Sequence, residues 1–501
     1  MKGTMKSFFV ILIAFAGILW LAGCSGEKPS SHETILAKVG DKTISVNEFI
    51  RRAEYTPRPA YCRGENYIHR KIVLNSLVAE KLLALEAGED NDLTRNHEFQ
   101  QYILGRKEQA MRQWLFYQVA QKKVQLSPDE INRTYRLAGR VYEVSFINCP
   151  TQEDVRKVRR LLATGIPFDS LAKSLNPKGR VPKREINFQA PEPDIVNARL
   201  FADSVRKGEI IGPLEIDRDN FMFLKVNGWH TQVAMSPTQQ RNRLDEVKEK
   251  LTERHALEIY NRYIAGLMKG KTVHFNEPVF RELVNILGPQ YFKTAKDKKE
   301  AFNKKFWNKD NTELERNDSQ NKLQKIYHQP FFTVDGRTWT VADFEEALLR
   351  HPLIFRKKRF PQHKFAQQFK LAVVDLIRDQ YVTQDAYKRG YDKVPEVVRN
   401  TNMWRDNLLA LYQKRAYLQS KGVKGLKNSD IIRTYLDPYV AQLRQKYADQ
   451  IQINTDAFEK IHLTRIDMFA FQPNQAFPVV VPSFPQLTTH NKLDYGRKMG
   501  D

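Results

Sequence analysis

A long internal repeat constrains the fold of this 501-residue chain more than any other feature of its sequence. The segment from Val39 to Phe49 is matched by the segment from Val334 to Phe344. In both, an alternation of polar and apolar residues around a Gly/Asp turn leads into Val-x-x-Phe, which predicts a hairpin followed by a helix. The motif Ile-x-Arg-Thr-Tyr then recurs, ending at Tyr135 and Tyr435. Ordered matches at a nearly constant offset indicate duplication of one module.

Amphipathic helices are predicted inside each copy. Apolar residues recur at helical spacing over 72–87 and 99–119, and again over 371–386 and 404–417. In the first copy, Ser127-Pro128 predicts another helix start, with a capping box completed by Glu130. These helices carry more aromatic residues than one narrow core-facing stripe accommodates. We therefore expect some of them to face a client groove or a second copy of the chain. The residues concerned are Trp114, Phe116, Tyr117, Trp404 and Tyr412.

A stretch with a different pattern lies between these copies, from Val141 to Gly228. It begins with a strand-like alternation, continues through short helical segments, and ends in a second strand-like run over 221–226. The predicted fold class is therefore α+β, with duplicated helical modules flanking a small α+β domain.

Three phrases in this stretch carry a family resemblance, at 165–172 (GIPFDSLA), 207–213 (KGEIIGP) and 223–226 (FLKV). In this order, they resemble the parvulin-type peptidyl-prolyl isomerase domain. The resemblance implies an apolar pocket for a prolyl ring, and the candidate peptide-binding residues are Ile195, Leu200, Phe201, Phe221 and Met222. The alternative for each of these residues is that it packs in the core of an ordinary sheet domain.

The polar residues of that family are missing. In active parvulins, two histidines on the inner strands orient the network that favours the twisted amide. The corresponding positions are near Glu143 or Val144 and at Met222, and no histidine occurs from 141 to 229. The family's Gly-Asp-Leu-Gly-Trp loop is replaced by the segment 183–188. No catalytic residue can be assigned, so whether the chain is an enzyme stays open, and we expect a binding domain with weak or no isomerase activity.

A long charged helix is predicted from Ser236-Pro237 to about residue 269, with a strand at 272–275. This arrangement resembles the chaperone module of SurA/PrsA-type foldases, in which helices before and after the isomerase domain pack into one body. The resemblance covers residues 36–276, and the second copy extends part of it towards Tyr435.

The N-terminus predicts an exported lipoprotein. Lys2 and Lys6 precede an apolar run over 8–22, which is typical of a secretory signal peptide and short for a membrane span. The sequence Leu21-Ala22-Gly23-Cys24 is similar to the lipobox of bacterial lipoproteins, which implies lipidation of Cys24. Ser25 after it resembles outer-membrane sorting. We expect a periplasmic protein held in the membrane, with the outer membrane favoured, and no nucleic-acid partner.

Cys62 and Cys149 are interpreted as structural, and whether they pair stays open. No metal signature or phosphate-binding motif suggests a metal or cofactor. The predicted regions are a signal peptide (1–23), a tether (24–35), a helical module (36–140), a parvulin-like domain (141–230), a helix and strand completing the first module (231–287), a charged linker (288–330), a second helical module (331–465) and a Pro-rich tail (466–501).

The sequence favours a lipid-anchored periplasmic foldase or chaperone that binds unfolded secreted or outer-membrane proteins. Its formal net charge of +23 would speed the encounter with acidic clients. The alternatives are an active peptidyl-prolyl cis-trans isomerase, or a structural adaptor subunit of an envelope assembly. A homo-oligomer stays open as well.

Overall fold

The structure, a computed structural model, describes residues 33–292, 318–463 and 479–499, except 65, 191, 203, 218–219 and 358–359. The predicted signal peptide, Cys24 and most of the predicted tether lie outside these residues. The fold is mixed α+β, with helices around three small sheets.

The first copy of the repeat forms a hairpin and four helices. Its elements are β1 (Ile35–Val39), β2 (Lys42–Ser45), α1 (Val46–Glu54), α2 (Tyr67–Ala87), α3 (His97–Val119) and α4 (Pro128–Ala138). The turn is at Gly40, whose positive φ of 62° suits glycine. Helix α1 begins after Ser45, whose side chain accepts a hydrogen bond from the Glu48 backbone N–H at 3.0 Å.

The central stretch forms a four-stranded sheet with three helices. Its elements are β3 (Arg140–Cys149), α5 (Gln152–Ala163), α6 (Phe168–Leu175), β4 (Lys183–Ile186), α7 (Asp194–Phe201), β5 (Ile210–Asp217) and β6 (Asn220–Thr231). Among the described residues, the next elements are α8 (Pro237–Leu267), β7 (Val273–Phe275), α9 (Glu277–Tyr291) and α10 (Asp318–Ile326). The segment predicted as a charged linker thus contains the end of α9 and all of α10.

The second copy repeats the order of the first: a hairpin, a capped helix and two long helices. Its elements are β8 (Pro330–Val334), β9 (Arg337–Thr340), α11 (Val341–Arg350), α12 (Phe365–Lys388), α13 (Pro395–Ser420), α14 (Asn428–Ile431), a π-helical turn (Ile432–Leu436) and α15 (Asp437–Lys446). The chain ends in β10 (Ile451–Ile453), α16 (Thr455–Glu459) and β11 (Arg497–Lys498). Thr340 caps α11 as Ser45 caps α1, accepting from the Asp343 N–H at 3.1 Å.

Each hairpin is completed by a strand from elsewhere in the chain. In the first, β1 pairs antiparallel with β10, with Ala37 opposite Ile453, and β11 lies parallel to β10. In the second, β8 pairs antiparallel with β7, with Val273 opposite Val334. The sequence assigned β7 to the first module, but its backbone hydrogen bonds go to the second hairpin. The closing strands are therefore exchanged between the two copies.

The long helices interleave in the same way. Helix α2 packs against α13 and α15, and α3 packs against α11, α12 and α13. The main apolar core of the first hairpin accordingly contains residues from both ends of the chain, such as Phe49 and Phe458, whose rings meet edge to face at 6.0 Å. The two helical modules form one body and are not independent domains.

Candidate functional site

The central sheet is antiparallel, in the order β4-β3-β6-β5. Strands β3 and β6 pair along most of their lengths, with Cys149 opposite Phe221 at one end. Helices α5 and α6 cover one face of the sheet, where Phe168 and Leu171 are buried. Helix α7 covers the other face, where Tyr142 and Leu224 are fully buried. Both faces are therefore apolar, as expected for a sheet between helical layers.

The structure brings together three of the five predicted peptide-binding residues. Leu200, Phe201 and Met222 belong to one apolar cluster and are 0%, 1% and 7% exposed. Phe221 is also buried, but it lies on the opposite face because successive residues of a strand alternate in direction. Ile195, on α7, is 41% exposed. Side chains this deeply buried form core in this structure and do not line an open prolyl pocket.

Two helices outside the sheet domain contribute side chains to the same apolar cluster. Val247 and Leu251 of α8, and Leu137 of α4, are buried in the same cluster as Phe201 and Met222. Removing these side chains from water stabilises the closed arrangement by about 1.5–3 kcal/mol for each fully buried aliphatic group. The apolar cluster that contains Leu200, Phe201 and Met222 therefore extends from the sheet domain to α4 and α8 of the helical body.

An ion pair also holds α4 against α8. The Glu130 carboxylate accepts hydrogen bonds from Arg254 at 2.9 Å and lies 3.0 Å from the Nε2 atom of His255. Ser127 caps α4 as predicted, accepting from the Glu130 N–H at 3.1 Å. The capping box expected from the sequence is only half formed, because the Glu130 side chain is directed to α8.

The positions of the missing histidines carry no titratable pair. Val144 is fully buried, Glu143 is exposed on the opposite side of the strand, and Met222 lies in the core. The nearest cation is Arg184, whose guanidinium lies 3.6 Å from the Met222 sulfur and pairs with Glu192 at 2.9 Å. The sequence placed 183–188 where the family has a loop, but residues 183–186 form the edge strand β4. The sequence did not single out Arg184, because its place beside Met222 depends on the pairing of β4 with β3, in which Arg184 lies opposite Val144.

The aromatic residues expected on client surfaces mostly fill contacts between helices. Trp404 of α13 is 9% exposed and meets Tyr102 of α3 edge to face at 6.1 Å. Phe116 of α3 meets Tyr260 of α8 edge to face at 5.1 Å. These rings hold the interleaved helices together. The large exposed apolar side chains lie elsewhere, and Met235, just before α8, is 82% exposed.

A buried ion network joins α1 and α2 of the first copy to α13 of the second. The Arg52 guanidinium donates two 2.8 Å hydrogen bonds to Glu80, and both side chains are fully buried. Lys81 lies 3.0 Å from Asp406 and 3.1 Å from Glu48. Burial alone would lower the pKa of Lys81, but the two carboxylates outweigh it and raise that pKa. The lysine is therefore charged and fixed in place.

Cys62 and Cys149 are buried and free. Cys62 lies in the core of the first hairpin and Cys149 in the cluster under α5 and α6, so the two thiols belong to different cores. Burial raises the pKa of Cys62 to about 12 and that of Cys149 to about 11. Neither thiol is a reactive nucleophile at neutral pH, because the thiolate is the reactive form.

Comparison with protein-family models gives no match for this chain, and comparison with curated proteins gives none either. Within the described ranges, no group of three or more His, Cys, Asp or Glu side chains is placed to hold a metal ion. No helix in the part of the chain that the structure describes is long and apolar enough to cross a bilayer.

Proposed function

We propose that this protein is a lipid-anchored periplasmic foldase that binds unfolded secreted or outer-membrane proteins without efficient prolyl isomerisation. The observation that carries the proposal is the contact between α4 and α8. These helices flank the central sheet domain in the sequence, yet they pack on each other and α8 also packs on α3. A sheet domain inserted into a continuous helical body is the arrangement that the resemblance to SurA/PrsA-type foldases implies.

The geometry of the sheet favours binding over catalysis. Lowering the barrier of about 18–20 kcal/mol for rotation about a peptide bond needs polar groups placed for the twisted amide. The positions near Val144 and at Met222 offer buried apolar side chains instead. We therefore assign client contacts to surfaces of the helical body and its connections.

Exposed apolar residues and positive charge supply the means of binding. Val233 and Met235 are 68% and 82% exposed on the connection between β6 and α8, and Ile354 is 64% exposed in the second copy. Apolar side chains at such exposure can bury surface against an unfolded chain. The net charge of +23 attracts acidic clients at long range.

An aggregation assay tests this proposal. The chain from residue 25 onward would be added to a chemically unfolded β-barrel outer-membrane protein on dilution, and light scattering recorded. We expect a concentration-dependent delay that weakens as salt is raised, because charge steers the encounter. The double variant Val233→Ser, Met235→Ser should delay aggregation less. Scattering curves identical to those with an inert protein of equal charge would refute the proposal.

A test of the anchor uses Cys24. In cells that process lipoproteins, the wild-type chain should fractionate with the outer membrane. The Cys24→Ser variant should be found elsewhere, either soluble or in an unprocessed form. Equal membrane recovery of both chains would contradict the predicted lipidation.

A further inference from the structure

The C-terminal segment 479–496, here called the C-terminal strap, lies extended across the helical body. Up to residue 494 it contains no helix or strand, yet many of its side chains are buried: Pro482, Phe484, Pro485, Leu487 and Thr488. Phe484 and Leu487 enter the core of the first hairpin, with 5% and 2% exposure. The sequence predicted a Pro-rich tail over 466–501. The described part is extended and packed.

The helical body holds the strap through its backbone and through side chains, such as the hydroxyls of Thr488 and Thr489, which donate to Asp437 at 2.5 and 2.7 Å. The carbonyl oxygen of Ser483 accepts a hydrogen bond from Arg52 at 3.0 Å. The Asn75 side-chain amide donates to the carbonyl oxygens of His490 and Lys492, at 2.7 and 2.9 Å. Backbone carbonyls are common to every polypeptide, so these donors would accept an extended chain of many sequences.

Arg52 is fixed by the body, whereas the side-chain oxygen of Asn75 accepts a hydrogen bond from the hydroxyl of Tyr495 in the strap. Arg52 is held by its two hydrogen bonds to Glu80, and the Asn407 amide donates to the same carboxylate at 2.6 Å. Asn75 is fully buried on α2. Binding a chain to donors already in place costs little ordering of the receptor. This is the construction of a peptide groove.

Unfilled space remains beside the strap. A cavity of 260 Å³ is lined on the body side by Asn407, Ala410, Leu411, Lys414 and Asn428, and on the other side by strap residues 483–487. Burial lowers the pKa of Lys414, and its amine lies 3.4 Å from the Gln486 carbonyl oxygen, a long contact. Leu411 is 40% exposed. The strap therefore fits the groove without filling it.

We propose that the groove occupied by the strap is a binding site for extended apolar segments of unfolded proteins that carry an aromatic residue beside proline. The strap is its built-in occupant, and clients compete with it. The nature of the client rests on the foldase function proposed above, whereas the groove itself does not. A tethered occupant has an effective concentration of about a millimolar, so a free segment at micromolar concentration displaces it only when the strap is weakened or the client binds at several points.

The test uses the chain from residue 25 onward and a fluorescent peptide with the sequence of residues 479–488. Binding would be followed by anisotropy, with a control peptide in which the phenylalanine is replaced by aspartate. Phe484→Ala weakens the strap and leaves the groove intact. Phe458→Ala is the matched control, since this phenylalanine is fully buried in the same core but lies on α16.

We expect at least ten-fold tighter peptide binding by Phe484→Ala than by wild type, no gain for Phe458→Ala, and no binding of the aspartate peptide. Adding Leu411→Asp to Phe484→Ala should abolish the gain. Equal binding by the two phenylalanine variants, or no effect of Leu411→Asp, would overturn the inference.

Should Phe484→Ala fail to fold, Thr489→Ala provides the same readout. This substitution removes the 2.7 Å hydrogen bond from the Thr489 hydroxyl to Asp437. A folded Thr489→Ala variant that binds the peptide no better than wild type would also overturn the inference.

The aggregation assay separates this inference from the proposed function. A chain that delays aggregation but shows no strap-dependent peptide binding would contradict the groove and leave the foldase proposal standing. Strap-dependent binding without any delay would support the groove and contradict the foldase proposal.

Discussion

Gly105 of α3 lies directly against Arg350 at the end of α11, so that a Cβ atom at position 105 would meet the Arg350 carbonyl oxygen at 2.0 Å. Gly105 belongs to the first copy of the repeat and Arg350 to the second. Only glycine permits this approach of the two backbones. The contact shows how closely the interleaved modules are fitted.

Replacing Gly105 with alanine should therefore loosen the contact between the copies. We expect Gly105→Ala to destabilise the protein by about 1–3 kcal/mol, because backbone atoms must shift to admit the methyl group. Gly266 of α8 is the matched control, since it is helical and has open space around its Cβ position. Gly266→Ala should be neutral or slightly stabilising. Equal thermal midpoints for the two variants would contradict the fitted interface.

The buried ion network predicts a larger loss. Asp406 on α13 is the partner of both Lys81 and Lys42, each at 3.0 Å. Asp406→Ala should cost about 3–5 kcal/mol, because it removes the carboxylate shared by two buried ammonium groups and leaves Lys81 with Glu48 alone. The control is Asp90→Ala, which removes a solvent-exposed pair with Arg95 and should change little. Similar urea midpoints for these two variants would show that the network does not join the modules.

A buried carboxylate predicts acid sensitivity. Burial would raise the pKa of Asp379, but its hydrogen bond to His351 at 2.9 Å and the charge of Arg378 hold that pKa below the ordinary value of 3.8. Its stabilising effect is therefore complete above pH 3.8 and is lost as the pH falls further, because the unfolded chain takes up the proton first.

The measurement is the thermal midpoint between about pH 5 and pH 3, since a lowered carboxyl pKa acts in this range. Wild type should lose more stability across it than Asp379→Asn, which has no proton to gain. Asp449→Asn, at an exposed pair with Arg497, should follow wild type. Parallel pH profiles for wild type and Asp379→Asn would contradict the assignment.

The two thiols predict a simple labelling result. In a form with Cys24 replaced by serine, Cys62 and Cys149 should resist a thiol reagent at pH 8, since both are buried and their pKa values are about 12 and 11. Unfolding in denaturant without reductant should expose both as free thiols. Recovery of none in denaturant would show a disulfide instead.

Local features of this fold were predictable from sequence because local chemistry determines them. The turn at Gly40 and the starts of α1 at Val46 and α8 at Pro237 were all confirmed. Each depends on a glycine, a capping side chain or an N-terminal proline acting over a few residues. The α+β class and the repeated element order also followed from such local patterns.

Long-range relationships were not predictable in the same way. Strand β7 pairs with the second hairpin and β10 with the first. These pairings depend on which strand edge is free in the folded chain. A three-residue strand is too short for its sequence to specify its partner. The cluster that buries Phe201 and Met222 also contains Val247 and Leu251 of α8, and the sequence does not show where the apolar face of that helix packs. The packing of the strap was not predictable either. Phe484 lies in a Pro-rich segment, and such a segment carries no local pattern that indicates burial in a core.

The most direct test of this account measures prolyl isomerisation and aggregation delay on one preparation of the chain from residue 25 onward. The account predicts cis-to-trans relaxation of a proline tetrapeptide at the uncatalysed rate, together with a clear delay of client aggregation. Catalysis well above the uncatalysed rate, abolished by Met222→Glu or Arg184→Ala, would contradict the assignment of Met222 to the core and make this domain a working isomerase. No delay of client aggregation would contradict the proposed foldase function.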